Sequence, residues 1–237
     1  MKKLWNQIDS NLSFVLVCVA VVAALLAAAK IAERFLPDRR RVSPAKRVAV
    51  IGVCSAIATV LHVLDFPLLF IAPEFYKLDF SELPVMLCGF YLGPSATITC
   101  EFIKIVLKLI IKSTSTAFIG DFANFVVGCS FVLPATIIYH IHKTKKTAFI
   151  GLAVGTLCLT AFGSLFNAVY LLPAFARFYG MPMEAIIAAG NAINGSITGV
   201  SSFVLLAVAP LNLIKGVSIS LLTLLLYKRV ARPLFGK

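Results

Sequence analysis

Long apolar runs, separated by short charged or proline-containing breaks, set the pattern of the chain. Residues 12–29 carry no charge over 18 positions, and the first span is read over residues 12–36. That length predicts a membrane-spanning helix, for which about 20 residues are needed. Residues 37–47 (PDRRRVSPAKR) combine two prolines with a run of basic residues and read as a loop. A second span is predicted over 48–64. Residues 65–82 (DFPLLFIAPEFYKLDFSE) hold two prolines and four of the ten acidic residues, so they are expected at or above the membrane interface as a lid. The run 83–92 has ten residues. This is about 15 Å of helix against a hydrocarbon core of ~30 Å, so it must be tilted, extended upstream or buried in protein.

Gly93-Pro94 marks a sharp turn, with the proline at a helix start where its missing N–H is tolerated. Further helices are predicted over 95–111, 118–139 and 148–172. The stretch 185–227 has 43 residues with Lys215 as its one charge, ~65 Å if it were a single helix and therefore too long for one span. Its polar segment 191–202 (NAINGSITGVSS) predicts an outer loop or half-helix, with Pro210 near the start of a final span ending at Tyr227.

Composition agrees with this pattern: 60% of residues are hydrophobic, 14% are charged, and the mean hydropathy is +0.97. A soluble protein is excluded, and an all-α integral membrane protein is expected. The net charge of +12 comes from basic residues between the apolar runs, which points to membrane orientation and not to nucleic acid. Residues 34–47 hold six basic residues and one acidic, 143–146 hold three basic, and the tail holds Lys228, Arg229, Arg232 and Lys237. All three places, including the C-terminus, are expected on the cytoplasmic side. The first apolar run is longer than a signal-peptide core and lacks a small-residue cleavage site, so it is expected to remain as an anchor. The expected organisation is an N-terminal anchor and basic linker (1–47), a membrane domain (48–230) and a basic tail (231–237). The length leaves no room for an ATP-binding domain, and there is no GxxxxGK[ST], HExxH or GxSxG string. An enzyme is not expected.

The six cysteines stand singly in apolar segments without a CxxC pair, and packing is their expected role. His140 and His142, beside a lysine cluster, are expected at the interface, and no metal site is expected. Glu101, Lys104, Lys108 and Lys112 recur at spacings of three and four, hence on one helix face. Such a face should turn inward, because a charge at mid-bilayer costs roughly 2.5 to 3.5 kcal/mol. For Lys108 and Lys112, outward snorkelling is the favoured reading. Asp121 and Asn124 suit the opening of the next helix, where capping alone would explain the aspartate. Asn167 lies in an uncharged run, and Asn212 and Lys215 share a face of the last helix. Interhelical hydrogen bonding and ligand contact both account for them, with ligand contact ahead. Gly52 and Ala56, with Ala45 and Ala49 upstream, form a small-residue face for close helix contact.

Several strings occur in a telling order: KLDFSELP (77–84), FYLGP (90–94), GDFANFVVG (120–128), FVLPATIIY (131–139), FNAVYLLP (166–173) and APLNLIKG (209–216). Together they resemble the substrate-binding S component of energy-coupling-factor (ECF) vitamin transporters, riboflavin type, over roughly residues 48–229. The resemblance implies a six-helix core, to which this chain adds one N-terminal transmembrane helix. It implies riboflavin as bound substrate, no cofactor, and partnership with a membrane-embedded coupling subunit and two cytoplasmic ATPases in the cell membrane. Carried over residue by residue, it makes Asn167, Asn212 and Lys215 ligand-binding, together with Asn124 and Asp79 in their motifs. It assigns the coupling-subunit contact to Gly52 and Ala56, where the family's first alanine is here a glycine. An S component for another vitamin, such as pantothenate or a thiamine precursor, and a solitary proton-coupled carrier using Glu101 are the alternatives.

Overall fold

The structure, a computed structural model, describes residues 12–37, 42–114, 116 and 118–235. Residues 38–41, within the basic linker, and 236–237, in the tail, lie outside the described residues. Among the described residues, five helices are long and apolar enough to cross a membrane. The N-terminal helix α1 (Leu12–Phe35) lies on the outside of the bundle, with only 6% of its apolar window buried. Its contact stripe of Val22, Leu25, Leu26 and fully buried Ala29 follows the helical repeat and packs on Ile98, Ile105, Phe125 and Cys129 of the core.

Helix α2 (Pro44–Val63) starts four residues before the expected position 48. Pro44 is not a breaker here: it sits in the first turn, and the Ser43 hydroxyl accepts the Lys46 N–H at 3.4 Å to cap it. One face of α2 buries Ser55, Ala58, Thr59 and His62, while Gly52 and Ala56 on the other face are exposed. The loop that follows carries a two-residue hairpin, β1 (Phe66–Pro67) antiparallel to β2 (Lys77–Leu78), in register Phe66 to Leu78. Its Ala72, Tyr76 and Leu78 pack against Leu172, Phe203 and Leu211, which ties the loop down over the bundle end.

Short helix α3 (Glu82–Leu92) resolves its length problem by burial in protein, with nine of its eleven residues inside. Gly93 follows at φ +106°, a conformation that favours glycine, and Pro94 opens α4 (Pro94–Lys112). Helix α5 (Ile119–His142) then packs closely on α6 (Lys145–Phe166). A Cβ on Gly151 or Gly155 would come within 2.6 Å of the Ala135 or Phe131 carbonyl, so small residues permit this approach. His140, expected at the interface, is instead buried, its Nε2 2.9 Å from the Gly89 carbonyl. The short helix α3 brings that carbonyl alongside the end of α5.

Two π-bulges interrupt the last rods. Asn167–Leu171 joins α6 to α7 (Leu172–Tyr179), so the rod runs well beyond the expected end at 172. After α8 (Met183–Asn191) and a polar turn, α9 (Val200–Phe203) passes through the bulge Val204–Val208 into α10 (Ala209–Phe235). The final rod therefore begins at Val200, and Pro210 lies inside it instead of near its start. In both rods a proline, Pro173 or Pro210, stands two residues past the bulge. A proline offers no N–H and crowds the carbonyl four residues back, and the widened turn accommodates both defects.

Candidate functional site

The lid loop, α4, α5, the α6 bulge and α10 enclose a cavity of about 440 Å³. This lies within the range of ~300–1,000 Å³ usual for small-molecule sites. Its lining includes all five residues expected to bind ligand: Asp79, Asn124, Asn167, Asn212 and Lys215. Phe75, Tyr76 and Phe175 supply aromatic surface, with the Phe75 and Phe175 rings edge to face at 6.4 Å.

Beneath this cavity lies a buried ionic cluster that the sequence reading had only in part. The ammonium of Lys104, fully buried, lies within hydrogen-bond range of Glu101 Oε1 at 2.5 Å, Ser81 Oγ at 3.0 Å, Asn124 Oδ1 at 3.2 Å and Glu82 Oε1 at 3.4 Å, four acceptors for its three N–H donors. Asn124 therefore accepts from a lysine and is not a helix cap. Lys215 reaches the Asp79 and Glu82 carboxylates, each at 3.0 Å. Asp79 also accepts the Ser81 N–H at 2.9 Å and lies 3.5 Å from His62 Nδ1. Burial by itself would raise the Asp79 carboxyl, but Lys215, His62 and Lys104 outweigh it and hold the group well below the usual carboxylate range. Glycine at 128 is required locally, because a Cβ there would run into the Glu101 carboxylate.

Lys108 does not snorkel outward; its ammonium pairs with Asp121, and its side chain is only 13% exposed. Asp121 is thus an ion-pair partner in the first turn of α5, while Phe118 stands at the cap position. Lys112, with its side chain 43% exposed, does reach outward, to Asp65 of the lid at 3.1 Å. Four lysines of α4 and α10 thus tie these helices to the lid, α3 and α5.

The two asparagines differ in what they already hold. Asn167 Oδ1 accepts the Tyr76 hydroxyl at 2.7 Å, and its Nδ2 donates to the Gly163 carbonyl at 2.7 Å. Asn167 therefore fastens the lid to the bulge. Asn212 Nδ2 is buried without a hydrogen-bond partner among the described residues, directly over Gly163, where a Cβ would come within 2.7 Å of it. A buried amide donor in that condition costs roughly 1–3 kcal/mol unless something accepts from it. Tyr76, Ser81, Glu82 and His62 were missed as site residues. The acid-rich loop gave the only signal for Tyr76, Ser81 and Glu82, His62 at the end of α2 gave none, and nothing in the pattern names their partners.

Residues 46–227 match the family model described as ECF transporter, substrate-specific component. Relatives include the riboflavin transporter RibU of Staphylococcus aureus (strain TCH60), 35% identical over 78% of this chain and 90% of that protein. The riboflavin transporter FmnP of Bacillus subtilis (strain 168) is 32% identical over 77% of this chain and 90% of its own length. A solved S component of a bacterial ECF transporter superposes with a TM-score of 0.62 at 34% identity, covering 80% of this chain and 98% of the other. With its fold, its lidded cavity and these matches in agreement, the chain belongs to the substrate-specific components of ECF transporters.

Proposed function

We propose that this chain is the riboflavin-binding membrane subunit of an ECF transporter, working with a coupling subunit and two ATPases that hydrolyse ATP on its behalf. The observation that carries the reading is the unpartnered Asn212 amide in the wall of an aromatic-lined cavity of about 440 Å³. A flavin has a flat ring system, apolar at its dimethylbenzene end and bearing carbonyl and nitrogen acceptors at its pyrimidine end, with a hydroxylated chain on the central-ring nitrogen. Asn212 would donate to the ring edge, Lys215 and Asn124 would meet polar groups deeper in, and Phe75, Tyr76 and Phe175 would cover the ring. Asp79 holds Lys215 in place, and Asn167 closes the lid through Tyr76.

The exposed Gly52 and Ala56 face of α2 is the proposed contact with the coupling subunit, since it carries no Cβ bulk at Gly52 and nothing lies within 4 Å of that position. The C-terminus and the basic segments 34–47 and 143–146 would face the cytoplasm, and the lid the outside.

The test is the visible absorbance of protein purified in mild detergent and of its Asn212→Ala and Lys215→Ala variants. A stoichiometric flavin band that is lost or weakened roughly 5- to 150-fold in affinity in Asn212→Ala is the expected result, matching one unpaired donor at ~1–3 kcal/mol. A colourless protein that also leaves added riboflavin fluorescence unquenched would sink this substrate and direct the search to another vitamin.

A further inference from the structure

Lys108 and Asp121 form an ion pair in the cavity wall, one helical turn nearer the lid than Lys104 and Asn124. Lys108 follows Lys104 by four residues on α4, and Asp121 precedes Asn124 by three on α5, a displacement of about 4.5–6 Å along the helices. The direction is toward the lid, since α4 ends at Lys112, whose ammonium meets Asp65 there at 3.1 Å.

The pair is not complete in itself. Asp121, 5% exposed, accepts from Lys108 through Oδ1, while its Oδ2 is buried without a hydrogen-bond partner among the described residues. Lys108 has three N–H donors. One goes to Asp121, a second lies 3.5 Å from the Ser113 carbonyl, and the third has no acceptor among the described residues. Asp65 at the cavity mouth differs. Lys112 and Lys77 flank it at 3.1 and 3.6 Å, and its side chain is 23% exposed, so water completes its coordination. A buried carboxylate oxygen left bare is costly, and for Asp121 the molecule that fills the cavity is the nearest source of a donor.

One spare donor beside one spare acceptor suits a hydroxyl, which donates and accepts at once, whereas a ring carbonyl answers only the lysine. We propose that the Lys108–Asp121 pair binds a hydroxyl of the ligand's polyol chain, and so selects a flavin carrying that chain over the bare ring system. This rests on the riboflavin reading above, in which Asn212, Asn124 and Lys215 hold the acceptor-bearing end of the ring. The chain then runs from the central ring toward the lid, where the pair stands.

The test compares dissociation constants, by fluorescence quenching, for riboflavin and for lumiflavin, the same ring system with a methyl group in place of the polyol chain. The unsubstituted protein is expected to bind riboflavin about tenfold or more tighter than lumiflavin, the scale of one hydrogen bond to a charged group. Lys108→Met/Asp121→Leu removes both charges together and should bring the two constants within about threefold, through loss of riboflavin affinity alone. A purely structural role would weaken both flavins alike and keep their ratio. An unchanged ratio in the variant, or near-equal constants in the unsubstituted protein, overturns the proposal while flavin binding itself keeps the riboflavin reading standing. Binding of neither flavin overturns that reading and the proposal with it. Thermal unfolding reports whether the variant folds. Should it fail to fold, Asp121→Asn, which keeps the shape of the side chain, carries the same comparison.

Discussion

Lys104 shows most directly what a charge needs in order to lie inside a membrane bundle. Its ammonium touches two carboxylates, a hydroxyl and an amide oxygen, so its desolvation is offset on every side. Lys104→Met leaves Glu82 and Glu101 buried next to each other, and is expected to cost about 3–5 kcal/mol in denaturant unfolding. Lys104→Met/Glu101→Gln should lose less, because one of the stranded charges is gone too. Asp79 yields a pH test. Its depressed carboxyl contributes stability that is complete above the unfolded-state value of ~3.9 and is lost as pH falls through the lower folded value. The difference in thermal stability between the intact protein and Asp79→Asn should therefore persist from about pH 7 to 5 and close only below about pH 4. A difference already vanishing at pH 5 would count against the Asp79–Lys215 pair as the source.

At the scale of elements, the bulge Asn167–Leu171 sets which way α7 faces. A π-turn holds one residue more than an α-turn, and each residue turns a helix by about 100°. Deleting Val169, which is 71% exposed, should restore a regular helix and rotate Phe175 out of the cavity wall. Flavin affinity should fall while circular dichroism keeps its helical signal, since α6 packs on α5 ahead of the bulge. The bulges also mark where pattern reading ended. Apolar run lengths located the membrane helices and the undersized α3, because burial and span length follow from them directly. Pro44 and Pro210 misled in opposite ways: one starts its helix, and the other is accommodated inside it. The periodic face predicted inward-facing charge at Glu101 and Lys104 but outward snorkelling at Lys108, and it did not say toward which neighbour any of them turns. That depends on helix packing, and so Asp121, Glu82 and Ser81 could not be paired with them from spacing. Asn167, Asn212 and Lys215 stood out as polar groups in apolar runs before the motif resemblance assigned them to the ligand, and the fold places them with Asn124 and Asp79 along one cavity.

For the whole molecule, the exposed small-residue face of α2 and the lidded cavity are separate features, so they should fail separately. Gly52→Leu adds bulk where nothing is packed and is expected to leave riboflavin binding intact while abolishing co-purification with the coupling subunit and uptake into cells. Loss of riboflavin binding in that variant would refute the partner assignment. The rod of α6 and α7 sets a further whole-molecule property. Lys145–Phe166 alone is 22 residues, ~33 Å, which already matches a hydrocarbon core of ~30 Å. With Lys145 at the cytoplasmic boundary as proposed and the rod upright, the remainder, through the bulge and α7, would stand in the headgroups or the water beyond, and the polar cavity with it. The protein is thus a depth gauge whose zero mark falls near Asn167. In bilayers of longer acyl chains the mouth of the cavity would sink toward the lipid tails, slowing vitamin entry without altering a single contact inside. Association rates measured in vesicles of stepped thickness should decline as the membrane outgrows the rod's first 22 residues.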